Sequence, residues 1–369
     1  MHRSQLYALY VLVVLAVPGV GEAVDFAVTR YDDPVPTLCS PTDCSLREAV
    51  IAANENPGAD RIILSAGRYQ LAQVGNQENA AIVGDLDVLD DLEILGVAAN
   101  LTIIDGDWVV ERLFEVPVVE SISLRFADLA LTGGSGLFGG SAVQVARADL
   151  VIERCEVFEN LGATASVIAG VFSTATIRDS TLRSNGGGLS CSQSDCLLVN
   201  ATLTDNGTRD LRGSIGALIT CQHCSIFDAS NGVVVELDAA ALQIGDSVVQ
   251  GACSMNPGAF VFSAGGNIES PGQSCDFTET SDVDDAFTAA LLALAPNGGA
   301  TLTRRPQSDG PSGVGAVACD PGVDQTGWPR PAVGCSRGAV QAAVSRTLIP
   351  VFIDGFEQGD AEAWSAIVP

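Results

Sequence analysis

Five acidic residues crowd one short stretch, "GDLDVLDDLE": Asp85, Asp87, Asp90, Asp91 and Glu93. Asp85 and Asp87, two residues apart, would point the same way along a strand. Oxygen-only ligands suit a hard cation, so these two are the candidate calcium ligands, and no other cofactor is indicated. The competing reading is a solvated acidic edge that discourages strand pairing. A second group, Arg154, Arg178 and Asp179, falls on neighbouring repeats. It could hold a sugar acid, or could form cross-strand ion pairs of little energetic weight. No carboxylate row recurs that would supply the acid–base pair of a hydrolase.

Several chemistries are excluded. Every basic residue is arginine, so Schiff-base catalysis and a lysine-dependent phosphate loop are absent. Beyond His2, His223 is the only histidine. It alone could serve a Ser-His-Asp triad, and a multi-histidine metal site cannot be built. With 18 basic against 45 acidic side chains, net −27, the surface repels nucleic acid and anionic lipid. "CQHC", Cys221 to Cys224, resembles a redox dithiol, but that chemistry needs a helix N-terminus to lower the thiol pKa.

The start of the chain sets the expected compartment. Met1-His2-Arg3 precedes an apolar run, Leu6 to Val17, and then Gly21-Glu22-Ala23. This is the pattern of a signal peptide over residues 1–23, with a secreted or cell-surface product. The run is too short to span a membrane, which takes about 20 residues. Eleven cysteines then suggest disulfides. Cys39 with Cys44 and Cys191 with Cys196 are short-loop candidates, and Cys253 with Cys275 and Cys319 with Cys335 are longer ones. Cys155, Cys221 and Cys224 remain, so at least one thiol is left over.

The elements that must position these residues come from a repeat. "ISLRFADLALT" from Ile122, "LVIERCEVFEN" from Leu150, "ATIRDSTLRSN" from Ala175, "CLLVNATLTDN" from Cys196, "ITCQHCSIFDA" from Ile219 and "LQIGDSVVQGA" from Leu242 share one scheme. Positions one, three and eight are apolar or cysteine. The eighth-position column runs Leu129, Val157, Leu182, Leu203, Ile226 and Val249, with Ile104 one step back. Alternation of period two means strand, and strands recurring every 20-odd residues leave no room for long helices. Stacking like strands in parallel, about 4.8 Å apart, buries all the columns at once. The expected fold is therefore an all-β parallel β-helix, and seven such turns would stack to roughly 34 Å. Asn160, Asn185 and Asn206 form a further column. They are expected to supply left-handed turn residues and an amide ladder.

Near the mature start, Ser45 and Glu48 form a capping box before a helix whose apolar face is Leu46, Ala49, Val50 and Ala53. A coil has open ends, and a short amphipathic helix is the expected plug. "CSLREAVIAANENPGADRIILSAGRYQL" closely resembles the N-terminal signature of the CSLREA-domain family of exported bacterial proteins. The stretch from Ala295 to Gln341 resembles the closing segment of right-handed β-helix repeat proteins of the choice-of-anchor type. The resemblance implies right-handed winding in the pectate-lyase-like manner and no settled activity.

The expected organisation is a cap over 24–83, coil turns over 84–278, a closing segment over 279–342 and a tail over 343–369. Phe352, Phe356 and Trp364 among acids give that tail the look of a sorting signal. The expected function is a non-catalytic, monomeric adhesion or interaction module whose partner is a polysaccharide or a surface protein. The alternative is a pectate-lyase-like polysaccharide lyase or glycoside hydrolase.

Overall fold

The computed structural model describes residues 22–75, 78–117, 121–136, 139–162, 165–170 and 172–342. Residues 1–21, most of the expected signal peptide over 1–23, and residues 343–369, the expected tail with Phe352, Phe356 and Trp364, lie outside the described residues.

The chain winds as a parallel β-helix of three sheets with ten, nine and eight strands. The ten-stranded sheet runs from Asp25–Ala27 to Phe260–Ser263, the nine-stranded from Gly67–Gln70 to Ile268–Ser270, and the eight-stranded from Leu86–Asp87 to Ala252–Met255. The chain visits the three in rotation, so each strand of the smallest sheet marks one complete turn. "RIILSAGRYQL" supplies two strands, Asp60–Ile63 and Gly67–Gln70, that belong to different sheets.

The interior is built from the columns. In the ten-stranded sheet Ile62, Ile94, Phe126, Ile152, Ile177, Leu198, Cys221 and Ile244 stack in register. In the nine-stranded sheet Tyr69, Ile104, Leu131, Val157, Leu182, Leu203, Ile226 and Val249 do the same. All of these side chains are buried. The sequence frame of the first repeat is two residues early: Leu124 pairs with Leu150, and Leu131, not Leu129, pairs with Val157. Alternating apolar residues look the same after a shift of two, so pattern alone does not distinguish the frames.

Sharp corners join the sheets. Single residues in the left-handed region make them, in three columns. Asp128, Arg154, Asp179, Asn200, His223 and Asp246 lie between the ten- and nine-stranded sheets. Glu159, Ser184 and Asp205 follow the nine-stranded sheet, and Arg147, Phe172, Gln193, Ile215 and Ala239 precede the ten-stranded one. The left-handed residue is thus the one before each column asparagine, which corrects the turn role expected of Asn160, Asn185 and Asn206. Those three are buried and bonded along the axis instead: Asn160 Nδ2 donates to Asn185 Oδ1 at 3.1 Å, and Asn185 Nδ2 to Asn206 Oδ1 at 2.8 Å. Asn206 Nδ2 ends the ladder on Asp210 Oδ1 at 2.6 Å.

Helix α1, Leu46–Glu55, covers the first turn. Ser45 accepts from the Glu48 amide, and the Glu48 carboxylate accepts from the Ser45 amide. Cys39 and Cys44 are bonded just upstream. Leu46, Ala49, Val50 and Ala53 are buried, and so is Arg47, which is not part of that apolar set. Its guanidinium holds Asp33 through two bonds, 2.8 and 3.0 Å, and donates to the carbonyls of Ala81 and Gly84.

Candidate functional site

Two of the three outer faces are occupied in part by the chain itself. The 295–342 stretch lies along the nine-stranded sheet. Gln325 is bonded with Thr202, Thr181 and Thr301, and Leu302 donates to Glu156. Arg304 pairs with Asp205 at 2.7 Å and sits 3.6 Å over the Phe227 ring. Asp246 accepts from the Val317 and Ala318 amides. On the eight-stranded sheet, the loop before Leu86 closes over the first strands: the Ala81 amide donates to Asp87 Oδ2 at 3.1 Å. The ten-stranded sheet is touched near its far corner, where Gln222 donates to the Asp320 carbonyl, and its outward positions Thr176, Leu197 and Thr220 stay partly exposed and form the open part of that face.

The first turns of that face carry ion pairs. Arg61 meets Asp25, Arg125 meets Glu153 at 2.7 Å and Glu93 at 3.6 Å, and Arg154 meets Asp128 at 2.7 Å and Glu153 at 2.6 Å. The Asp128 carboxylate is the main reason the Arg154 guanidinium holds its proton more tightly than usual. Arg154, Arg178 and Asp179 are not gathered into one pocket. Arg154 is committed one turn back, Asp179 accepts from Asn200 Nδ2 at 3.0 Å one turn on, and Arg178 is exposed. Burial raises the Asp179 pKa.

Farther along, the middle of the face turns neutral, with Thr176, Leu197, Thr220 and Gln243 in register. A shallow groove of about 460 Å³ follows the corner between the eight- and ten-stranded sheets. Phe172, Thr174, Gln193, Asp195, Ile215 and Gly216 line it. Phe172 and Ile215 are 71% and 61% exposed, at φ of 58° and 53°. A left-handed conformation costs a residue with a side chain roughly 1–2 kcal/mol. Neither burial nor backbone preference therefore accounts for a phenylalanine and a β-branched residue at these positions. Their corner is held by main-chain bonds, Phe172 N to Gln193 O at 2.9 Å and Gln193 N to Ser214 O at 3.2 Å.

Asp85 and Asp87 come together with Glu115 and Arg112, which sequence reasoning missed. Glu115 lies 28 residues after Asp87, one turn on, and the two are register partners. Applying the repeat length to the acids would have found it. Burial raises the pKa of both aspartates, and the Arg112 charge opposes the shift. Among the described residues, these three carboxylates form the one group placed to hold a metal ion.

The cysteine and histidine chemistry closes down. Cys191–Cys196, Cys253–Cys275, Cys319–Cys335 and Cys221–Cys224 are bonded. Cys221 and Cys224 are both buried, which leaves "CQHC" as an interior staple. Cys155 is free and buried, and burial pushes its thiol pKa up to about 12. Burial pushes His223 down to about 3, with Nε2 3.0 Å from the Ala318 carbonyl, so it is too weak a base for neutral-pH catalysis. Five disulfides suit an oxidising compartment. Among the described residues, no helix is long and apolar enough to cross a membrane.

No protein-family model matches the chain, and no curated protein does. Among solved structures, a crystal structure of pectate lyase Pel9A is similar at 12% identity, covering 88% of this chain and 98% of that one, with a TM-score of 0.39. At that distance the likeness carries no argument about activity.

Proposed function

We propose that this protein is an exported β-helix that binds an extended neutral polysaccharide along its open sheet and does not cleave it. The observation that carries the reading is the corner groove. Two bulky apolar side chains are kept exposed there at backbone positions that disfavour them, beside Thr174, Gln193 and Asp195. Conformational strain retained without a packing gain is a recognised mark of a contact site. An aromatic face with a few hydrogen-bonding groups is the usual way to hold a sugar ring. The net charge of −27 disfavours a uronate polymer, which makes a neutral chain the better ligand. The non-catalytic part of the reading is supported by the ion pairing of Arg125 and Arg154 and by the cover over Asp87.

Affinity electrophoresis against neutral and acidic polysaccharides tests this, with product analysis of the same mixtures. Retardation by a neutral polymer is expected, weakened about tenfold in Phe172→Ala, a change of about 1.4 kcal/mol. Release of shortened or unsaturated sugars would contradict it, as would binding that Phe172→Ala and Ile215→Ala leave intact.

A further inference from the structure

We propose that Asp85, Asp87 and Glu115 bind one hard divalent cation, with calcium the best fit, and that the ion fastens the 78–85 loop to the coil. This site is separate from the groove and stands or falls without it. Asp87 and Glu115 are register partners on adjacent strands of the eight-stranded sheet, and Asp85 lies two residues before Asp87. Their carboxylate oxygens lie within 4.8 Å of one another.

The second observation is what these oxygens lack. Asp85 Oδ2 and Asp87 Oδ1 are buried without a hydrogen-bond partner, on residues only 7% and 0% exposed. Arg112 comes within 3.2 Å of Asp85 Oδ2 and 3.2 Å of Glu115 Oε2, yet its Nε and Nη1 make no hydrogen bond. One guanidinium faces three carboxylates, which leaves the cluster two charges short of neutral. Burying carboxylates without compensation is strongly unfavourable. A divalent cation removes that deficit and gives the orphaned oxygens a partner.

The donor set selects the ion. All donors are carboxylate oxygens, without nitrogen or sulfur, which favours calcium, magnesium or manganese over zinc or copper. Calcium accepts an irregular shell of six to eight oxygens and completes it with water, whereas magnesium demands near-ideal octahedral geometry. The Glu115 side chain is 23% exposed and gives the ion a way in.

The site lies where three parts of the cap meet. Asp87 Oδ2 holds the Ala81 amide, Glu78 holds the Ala80 and Val83 amides, and Arg47 of α1 holds the carbonyls of Ala81 and Gly84. An ion on Asp85 and Asp87 would tie this loop to Glu115 in the next turn.

Isothermal titration of chelator-treated full-length protein with calcium and with magnesium tests the proposal. One calcium site above the diffuse background is expected, together with a rise in the thermal midpoint. Glu115→Gln, which alters a partly exposed residue and is expected to fold, should weaken that site about tenfold, or about 1.4 kcal/mol. Asp309→Asn, an exposed charge elsewhere, should leave it unchanged. Should Asp87→Asn fail to fold, the wild-type titration and Glu115→Gln still decide. Wild-type protein with no discrete calcium site overturns the proposal, as does a site that Glu115→Gln leaves at full strength.

Discussion

Asn160 and Asn185 are 25 residues apart, yet the Oδ1 of Asn185 accepts both the main-chain amide of Asn160, at 3.0 Å, and its side-chain Nδ2, at 3.1 Å. Asn185 makes the same pair of donations to Asn206. Each amide therefore satisfies the turn before it. Asn185→Ala would leave the buried main-chain amide of Asn160 unpaired and would take the Nδ2 donor from the Val157 carbonyl, while Asn206 Oδ1 keeps the main-chain amide of residue 185. An unsatisfied buried group costs about 1–3 kcal/mol, and chemical denaturation should show a loss of at least that size.

The cap rests on a buried pair. Arg47 and Asp33 are 0% and 1% exposed at the side chain and meet at 2.8 Å. Asp33 also accepts from the Ala72 and Gln73 amides. Removing one partner strands a charge, so Asp33→Ala should cost about 3–5 kcal/mol. Repeat proteins transmit such losses mainly to neighbouring turns. Hydrogen exchange should therefore rise first in Asp60–Ile63 and Gly67–Gln70, well before the strands near Val249.

Asp210, at the foot of the asparagine ladder, sets a pH dependence. Burial, with smaller repulsion from Asp228 and Asp205, raises its pKa from 3.8 to about 8. Below the unfolded value both states are protonated and the burial is uncharged. As pH rises from there to about 8, the unfolded chain ionises while the folded one keeps its proton, so stability falls through that window. The loss is on the order of a few kcal/mol. Asp210→Asn cannot ionise, and its denaturation midpoint should fall less between pH 4 and 8 than that of the wild type.

Cys155 gives a kinetic readout. Its thiol is fully buried and resists ionisation. Alkylation at pH 8 should be negligible in native protein and complete after unfolding, with no other thiol modified.

The sequence made the columns legible because two periods coincide, alternation along each strand and a turn of 20-odd residues. It misplaced the first repeat because Ile122, Leu124 and Phe126 alternate, and Leu129 and Leu131 do too, so a frame two residues early fits equally well. Ser45 and Glu48 were legible because the capping box is local. Arg47 with Asp33, and Arg112 and Glu115 with Asp85 and Asp87, were not, since winding of the chain creates those pairs. The cover formed by Arg304 and Gln325 left no signal either, because the segment that carries them has little regular structure for a pattern to betray. The exposed corner positions of Phe172 and Ile215 are visible only once the corners themselves are known.

All of this depends on the register of the coil, and paired cysteines on its outer face measure it directly. Thr176 and Leu197 are register partners on adjacent strands, whereas Thr176 and Thr220 are two strands apart. Adjacent positions lie about 4.8 Å apart, within disulfide range, and the second pair about 9.6 Å apart, beyond it. Mild oxidation followed by mass spectrometry should find the crosslink in the Thr176→Cys/Leu197→Cys variant and not in Thr176→Cys/Thr220→Cys. The reverse pattern, or no crosslink in the first variant, would contradict the parallel stacking on which the account is built.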